Sequence, residues 1–172
     1  TVTDPANGCS ASASVAVTQN IINPDATIAP PAQLTCLVTS VTLSASSSVV
    51  NVSYDWGGGI TTATHAVAAP GTYSVTVTDP ANGCSASASV AVTQNIINPD
   101  LSIAPPAQLT CAVTSVTLSA SSSVVNVSYD WGGGITTATN AVSAAGNYSV
   151  TVTDPANACS ASASVSVTQK II

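Results

Sequence analysis

The chain repeats itself every 75 residues. The string Asp-Pro-Ala-Asn begins at Asp4, Asp79 and Asp154, and the same step separates Cys9, Cys84 and Cys159, Cys36 and Cys111, and Trp56 and Trp131. Residues 1–25 are identical to residues 76–100, and residues 26–97 differ from residues 101–172 at ten of 72 positions. Self-similarity at a fixed period marks an array of one folding unit and constrains the fold before any single residue is considered. It also bears on function, because copying improves length and valency directly, whereas a catalytic site needs one specialised place. The breaks between units fall at Asn23-Pro24-Asp25 and Asn98-Pro99-Asp100, since the residue before a proline is pushed out of the helical region and into turns. The expected organisation is a C-terminal hairpin of a truncated preceding repeat plus linker over 1–25, a repeat with its linker over 26–100, and a second repeat over 101–172.

Composition narrows the function. There is no Glu, Arg, Phe or Met, Lys170 is the only lysine, and His65 is the only histidine. General acid–base chemistry draws on those residue types, so no enzyme is expected. No Ser–His–Asp or Cys–His set can be built on His65, because the next copy carries Asn140 there and the histidine reads as surface decoration. Seven Asp against one Lys give a net charge of −6, whereas a nucleic-acid partner needs a basic surface. No segment approaches the ~18 apolar residues of a membrane span, so no membrane insertion is expected. The sequence also opens without the charged and apolar regions of a signal peptide.

Period-two alternation runs through each unit. Tyr73, Val75 and Val77 alternate with Ser74, Thr76 and Thr78, and Cys84, Ala86, Ala88, Val90 and Val92 alternate with serines and Thr93. Val41, Leu43 and Ala45, then Val50, Val52, Tyr54 and Trp56, repeat the pattern. Such alternation predicts half-buried antiparallel strands, separated by turns at Gly57-Gly58-Gly59, Pro70-Gly71 and Asp79-Pro80-Ala81-Asn82-Gly83. The fold class is therefore all-β, with six or seven short strands per unit arranged as an Ig-like β-sandwich, and with units of about 75 residues placed end to end. The expected core anchors are Trp56 and Tyr73, with Leu43 and the valines, and Trp131 and Tyr148 in the second unit.

A unit this small has a marginal core and gains from a staple. Closing the 48-residue loop between Cys36 and Cys84 contributes about 3–4 kcal/mol in the chain-entropy model. Pairing within units, Cys36–Cys84 and Cys111–Cys159, is the expected arrangement, which leaves the partner of Cys9 outside the chain. Pairing between units stays open as the alternative: Cys36 precedes the second strand, Cys84 ends the turn between the last two, and a simple Ig-like order puts those loops at opposite ends, with Cys36 near a cysteine of the adjoining unit. Spacing alone does not fix connectivity. Cysteines in every copy fit an oxidising, extracellular setting.

The stretch Val52-Ser53-Tyr54-Asp55-Trp56-Gly57-Gly58-Gly59, with Pro70-Gly71-Thr72-Tyr73-Ser74-Val75-Thr76-Val77-Thr78-Asp79 after it, resembles the PKD-like and Ig-like repeats of bacterial surface proteins. The ending from Tyr73 through Cys84 to Val90 resembles repeats of the gliding-motility adhesins (SprB-type) of Bacteroidota. The resemblance covers essentially the whole unit and implies a secreted, surface-attached array exported by the type IX route. The glycine triplet departs from the PKD pattern, which has an Asp-containing turn there, and this weakens the case for a bound ion.

Other site candidates have plainer explanations. Asp25, Asp55, Asp79 and Asp100 recur near unit junctions and are weak calcium candidates, but calcium wants six to eight oxygens and each unit has about three Asp, all beside turn residues. Gly57–Gly59 lacks the GK[ST] of a phosphate loop. Tyr54 and Trp56 would form a sugar platform if exposed, but alternation puts them inside with Val52. Asn51, Asn126 and Asn147 head glycosylation sequons, which a Ser-rich chain produces by chance. No cofactor is expected. Uncharged Ser/Thr faces leave sheet edges without the usual charged guards, so neighbouring repeats or identical chains in a fibre are the expected partners. The leading expectation is a structural repeat in the stalk or filament of an extracellular bacterial adhesin. The alternative is a module binding glycan or an abiotic surface weakly but many times over, and a third is an accessory domain of a secreted enzyme.

Overall fold

A computed structural model describes residues 1–170; positions 171 and 172, the end of the second repeat, lie outside the described residues. Among the described residues all regular structure is β. The first segment forms a short hairpin of β1 (Val2–Thr3) and β2 (Ser10–Ala11), and residues 12–26 form no strand. The first unit contains β3 (Thr27–Ile28), β4 (Leu34–Thr35), β5 (Val41–Ser46), β6 (Ser53–Asp55), β7 (Thr64–Val67), β8 (Gly71–Thr78), β9 (Ser85–Val92) and β10 (Gln94–Asn95). The second contains β11 (Ser102–Ile103), β12 (Val116–Ser121), β13 (Ser128–Asp130), β14 (Thr139–Val142), β15 (Gly146–Thr153) and β16 (Ser160–Val167).

Each unit is a sandwich of two three-stranded antiparallel sheets, ordered β3-β5-β7 and β6-β8-β9 in the first and β11-β12-β14 and β13-β15-β16 in the second. The longest ladder runs from Gly71↔Val92 to Thr78↔Ser85 and recurs from Gly146↔Val167 to Thr153↔Ser160. Along β5 burial alternates strictly, so Val41, Leu43 and Ala45 are buried while Thr42, Ser44 and Ser46 face water. Leu34, Val41, Leu43, Val67 and Val92 form one core cluster, and Ala45, Val75 and Val77 form another. Trp56 packs against both, and Tyr73 against the first. Trp131 and Tyr148 pack in the same way on Leu109, Val116, Leu118, Val142 and Val167. These aromatics are partly buried rather than central, because each turns a polar atom to the rim. Trp56 Nε1–H donates to Thr62 O at 3.0 Å, and Tyr73 O–H donates to Ala69 O at 2.9 Å. The second bond, from a strand-opening tyrosine to backbone just upstream, has the geometry of an Ig-type tyrosine corner.

His65 departs from the sequence reading. It sits opposite Leu43 on β7, with its ring edge-on to Trp56 at 5.6 Å and to Tyr73 at 5.8 Å, and its Nδ1 is buried without a hydrogen-bond partner. It is packing, not surface decoration. Asn140, its counterpart, is buried as well.

The turns follow backbone demands. Gly57, Gly58 and Gly59 take φ of 81°, 60° and 86°, three successive left-handed residues that only glycine adopts cheaply. Gly83 closes the Asp79 turn at φ 72°, but the second unit has Ala158 there at φ 57°. A Cβ in that region costs about 1 kcal/mol, and open space surrounds the position in the first unit. Ala158→Gly is therefore expected to raise stability by about 0.5–1 kcal/mol and Gly83→Ala to lower it by a similar amount. Urea midpoints of the two variants should move in opposite directions.

Candidate functional site

The place where chemistry concentrates is the joint between the two units, and it corrects the expected cysteine pairing. The disulfide is Cys36–Cys159, with a sequence separation of 123 and Cα atoms 5.1 Å apart. Cys36–Cys84 and Cys111–Cys159 do not form, and Cys9, Cys84 and Cys111 are free thiols. The reason is topological. Cys36 follows β4, which pairs in parallel with β10 at the exit of the first unit. Cys84 ends the β8–β9 turn at the entry, so one sandwich length separates them. The cysteine that reaches Cys36 is the one at the entry turn of the following unit.

That turn, Asp154-Pro155-Ala156-Asn157-Ala158-Cys159, is held by its own groups. Asp154 N–H donates to Cys159 O at 2.9 Å, Ala158 N–H to Asp154 O at 2.8 Å, and Ala156 N–H to Asp154 Oδ1 at 2.8 Å. Such side-chain-to-backbone bonds explain why Asp and Asn open it. Asn157, 2 % exposed, then clasps the linker. Its Oδ1 accepts from Cys159 N–H at 2.8 Å, and its Nδ2 donates to Asn95 Oδ1 at 3.0 Å and to Ile97 O at 2.9 Å. Its backbone O accepts from Cys36 N–H of the preceding unit at 3.1 Å. Linker, turn and neighbouring unit thus meet at one asparagine. Pro24 and Pro99, which close the two linkers, are both buried.

The clasp recurs at the entry of the first unit, where Asn82 Nδ2 donates to Asn20 Oδ1 at 3.2 Å and to Ile22 O at 2.9 Å. Sequence reasoning saw Asn82 only as a turn former. The recurrence of Asn20 and Asn95 in the linkers at the repeat spacing was the signal that could have found the clasp.

The acidic residues do local work. Asp25 Oδ1 accepts from Ser48 Oγ–H at 2.6 Å, Ser48 N–H at 2.7 Å and Ser47 Oγ–H at 3.0 Å, and Asp100 repeats this with Ser122 and Ser123. The Ser48 hydroxyl, its amide and Ser47 hold the Asp25 carboxyl at about 2, and the Ser123 hydroxyl and amide, with Ser122, hold Asp100 below its ordinary value. Because the folded value is depressed, the stabilisation is complete above the ordinary value of 3.8 and is lost as pH falls towards 2. Asp25→Asn is expected to be less stable than the parent at pH 7, with the two unfolding curves converging by about pH 2; a difference independent of pH would contradict this. Asp55 Oδ1 accepts from Gly57 N–H at 2.8 Å, and Asp79 Oδ1 from Ala81 N–H at 2.9 Å. Among the described residues no three His, Cys, Asp or Glu side chains converge into a metal-binding group, so the calcium candidates Asp55, Asp79 and Asp100 are dispersed. Asn51 and Asn126 are exposed turn residues at φ 60°, and Asn147 is exposed on β15.

Among the described residues no helix is long and apolar enough to cross a membrane. No protein-family model matches the chain, and no curated protein matches it. Solved structures do. Three N-terminal domains of the Highly Immunogenic Outer Capsid protein (Hoc) of bacteriophage RB49 align at TM-score 0.42 and 20% identity, over 86% of this chain and 58% of theirs. Fibronectin(III)-like modules of Clostridium thermocellum CbhA align at TM-score 0.35 and 17% identity, over 84% of this chain and 95% of theirs. Murine CEACAM1b aligns at TM-score 0.34 and 15% identity, over 86% of this chain and 100% of its own. The chain thus spans little more than half of the phage fragment. On the evidence of its own two-sheet sandwiches, this chain is built of Ig-like modules.

Proposed function

We propose that the chain is a spacer: tandem Ig-like units forming part of the stalk or filament of an extracellular surface appendage. The observation that carries this reading is the Cys36–Cys159 bond between consecutive units. Such a bond would be wasted on a flexible hinge, whereas it would fix the pitch of a rod. The bond also favours an oxidising compartment outside the cytoplasm, and the likeness to gliding-motility adhesin repeats suggests a bacterial surface as its setting. The glycan-binding alternative draws no support from the aromatics, because the Trp56 indole is hydrogen-bonded to Thr62 and packs against both core clusters.

Small-angle X-ray scattering tests the reading. The oxidised chain should scatter as one rigid two-unit rod, and Cys36→Ser should broaden its distance distribution. An oxidised chain as broadly distributed as the variant would sink the spacer proposal.

A further inference from the structure

The two sulfurs of the joint are not equivalent. Cys159 is 1 % exposed, inside the turn that Asn157 closes. Cys36 is exposed although the following unit is in place, and so is Leu37 beside it, at 77 %. A small reagent therefore meets the bond from the Cys36 side. In thiol–disulfide exchange the incoming thiolate attacks one sulfur and the other leaves, so access decides which cysteine takes the adduct.

Neither turn needs the bond to keep its shape. Around Cys36, Thr35 N–H donates to Val38 O at 2.9 Å, and Leu37 N–H and Val38 N–H donate to Thr35 Oγ1 at 3.3 and 3.0 Å. The equivalent bonds around Cys111 are 2.9, 3.2 and 3.0 Å, and Cys111 is a thiol. At the other half, Asn157 Oδ1 accepts from Cys159 N–H at 2.8 Å. Asn82 Oδ1 accepts from Cys84 N–H at the same distance, and Cys84 is also a thiol. The Asn157 bonds to Asn95, Ile97 and Cys36 N–H do not run through sulfur either. Opening the disulfide therefore leaves both sulfurs close to where they were.

We infer that the joint is a one-sided thiol-exchange site, in which Cys36 Sγ takes up a small monothiol such as glutathione and Cys159 is the resolving thiol that expels it. The inference rests on the spacer reading and deepens it, making the lock of the rod one that opens and closes again. The glutathione thiolate attacks Cys36 Sγ, the Cys36–Cys159 bond breaks, and Cys159 leaves with the electron pair. Cys159 takes up the proton that glutathione gave up. Closure is the reverse: Cys159 loses that proton, its thiolate attacks Cys36 Sγ, and glutathione departs. One disulfide replaces another, so no oxidant is consumed. Because the two turns hold Cys159 beside Cys36, its effective concentration far exceeds that of dissolved thiol, and dilution of glutathione restores the bond.

The test uses the 172-residue chain carrying Cys9→Ser, Cys84→Ser and Cys111→Ser, in which one disulfide remains. The oxidised chain is exposed briefly to reduced glutathione, quenched with acid and cleaved before aspartate. Before exposure, peptide 25–54 should be linked to 154–172. After exposure, glutathione should sit on 25–54 in about tenfold or greater excess over 154–172, and in urea the two should be near equal because access no longer differs. The adduct, freed of glutathione and returned to neutral pH, should regain the link and release one glutathione per chain. In the same background, Cys159→Ser should react with oxidised glutathione about tenfold faster than Cys36→Ser.

An equal split in the folded chain, an adduct mainly on 154–172, an excess that persists in urea, or no adduct in either experiment would overturn the inference, as would an adduct that does not reclose. With the link present before exposure, such results remove only the one-sided exchange. Absence of the link from the outset removes the spacer reading as well.

Discussion

Cys36→Ser should lower the stability of the oxidised chain by about 5 kcal/mol, the chain-entropy value for a closed loop of 123 residues. Cys159→Ser should match it, and the double variant should cost no more than either alone, since both remove one bond. The loss should come with a change in form. The bond encloses most of both units, so the parent is expected to unfold in one transition and the variants in two, one per sandwich. Equilibrium denaturation followed by tryptophan fluorescence reads this through Trp56 and Trp131, one in each unit. If the parent and Cys36→Ser share a midpoint, the bond does not brace the joint. The free cysteines give the control: Cys111→Ser should leave the midpoint of the monomer unchanged.

Asn157→Ala is expected to cost about 3 kcal/mol. The substitution strands Cys159 N–H at a buried place, where an unpaired group costs about 1–3 kcal/mol, and removes the part-buried bonds to Asn95 Oδ1 and Ile97 O. Asn157→Asp is informative because it preserves shape and the bond from Cys159 N–H, yet it points a carboxylate at two acceptor oxygens. It should be at least as damaging at neutral pH and should recover part of the loss once protonated. Asn82→Ala removes the same three kinds of bond at the half-exposed entry turn, where water replaces them, so about 1 kcal/mol is expected. Equal losses at Asn82 and Asn157 would show that burial at the joint adds nothing to the clasp. Thermal or urea unfolding of the three variants against the parent decides between these outcomes.

The sandwich was legible because burial on a strand follows side-chain parity. The alternation of Val41, Leu43 and Ala45 with Thr42, Ser44 and Ser46 appears in the structure as alternate buried and exposed positions. The joint was legible only as the less favoured alternative, for the reason that made the repeat so plain. Cys84 and Cys159 occupy near-identical strings, so the pattern of residues does not choose between them, and only the expected strand order pointed away from Cys84. That choice depends on which end of a sandwich each loop occupies, a property of the closed sheets. His65 misled for a related reason. Its place between Trp56 and Tyr73 depends on β7 lying against β5, and a lone polar residue in a short strand gives no sign of that. The serine pairs bound by Asp25 and Asp100 lie more than twenty residues away in sequence and leave no local signature.

The staggered bond also decides what happens when such a chain is pulled. Tension entering near residue 1 travels along the backbone to Cys36, crosses to Cys159 through sulfur, and leaves towards the C-terminus. Most of both sandwiches lies inside the bypassed loop, with β3, β4 and β16 left on the load path, so the enclosed strands add no length to the chain even if they melt. About 400 Å of contour, taken at roughly 3.4 Å per residue, is thereby withheld from extension. A chain jointed in this way lets its enclosed sheets breathe without lengthening, because the yield point has been moved from hydrogen bonds to a covalent link.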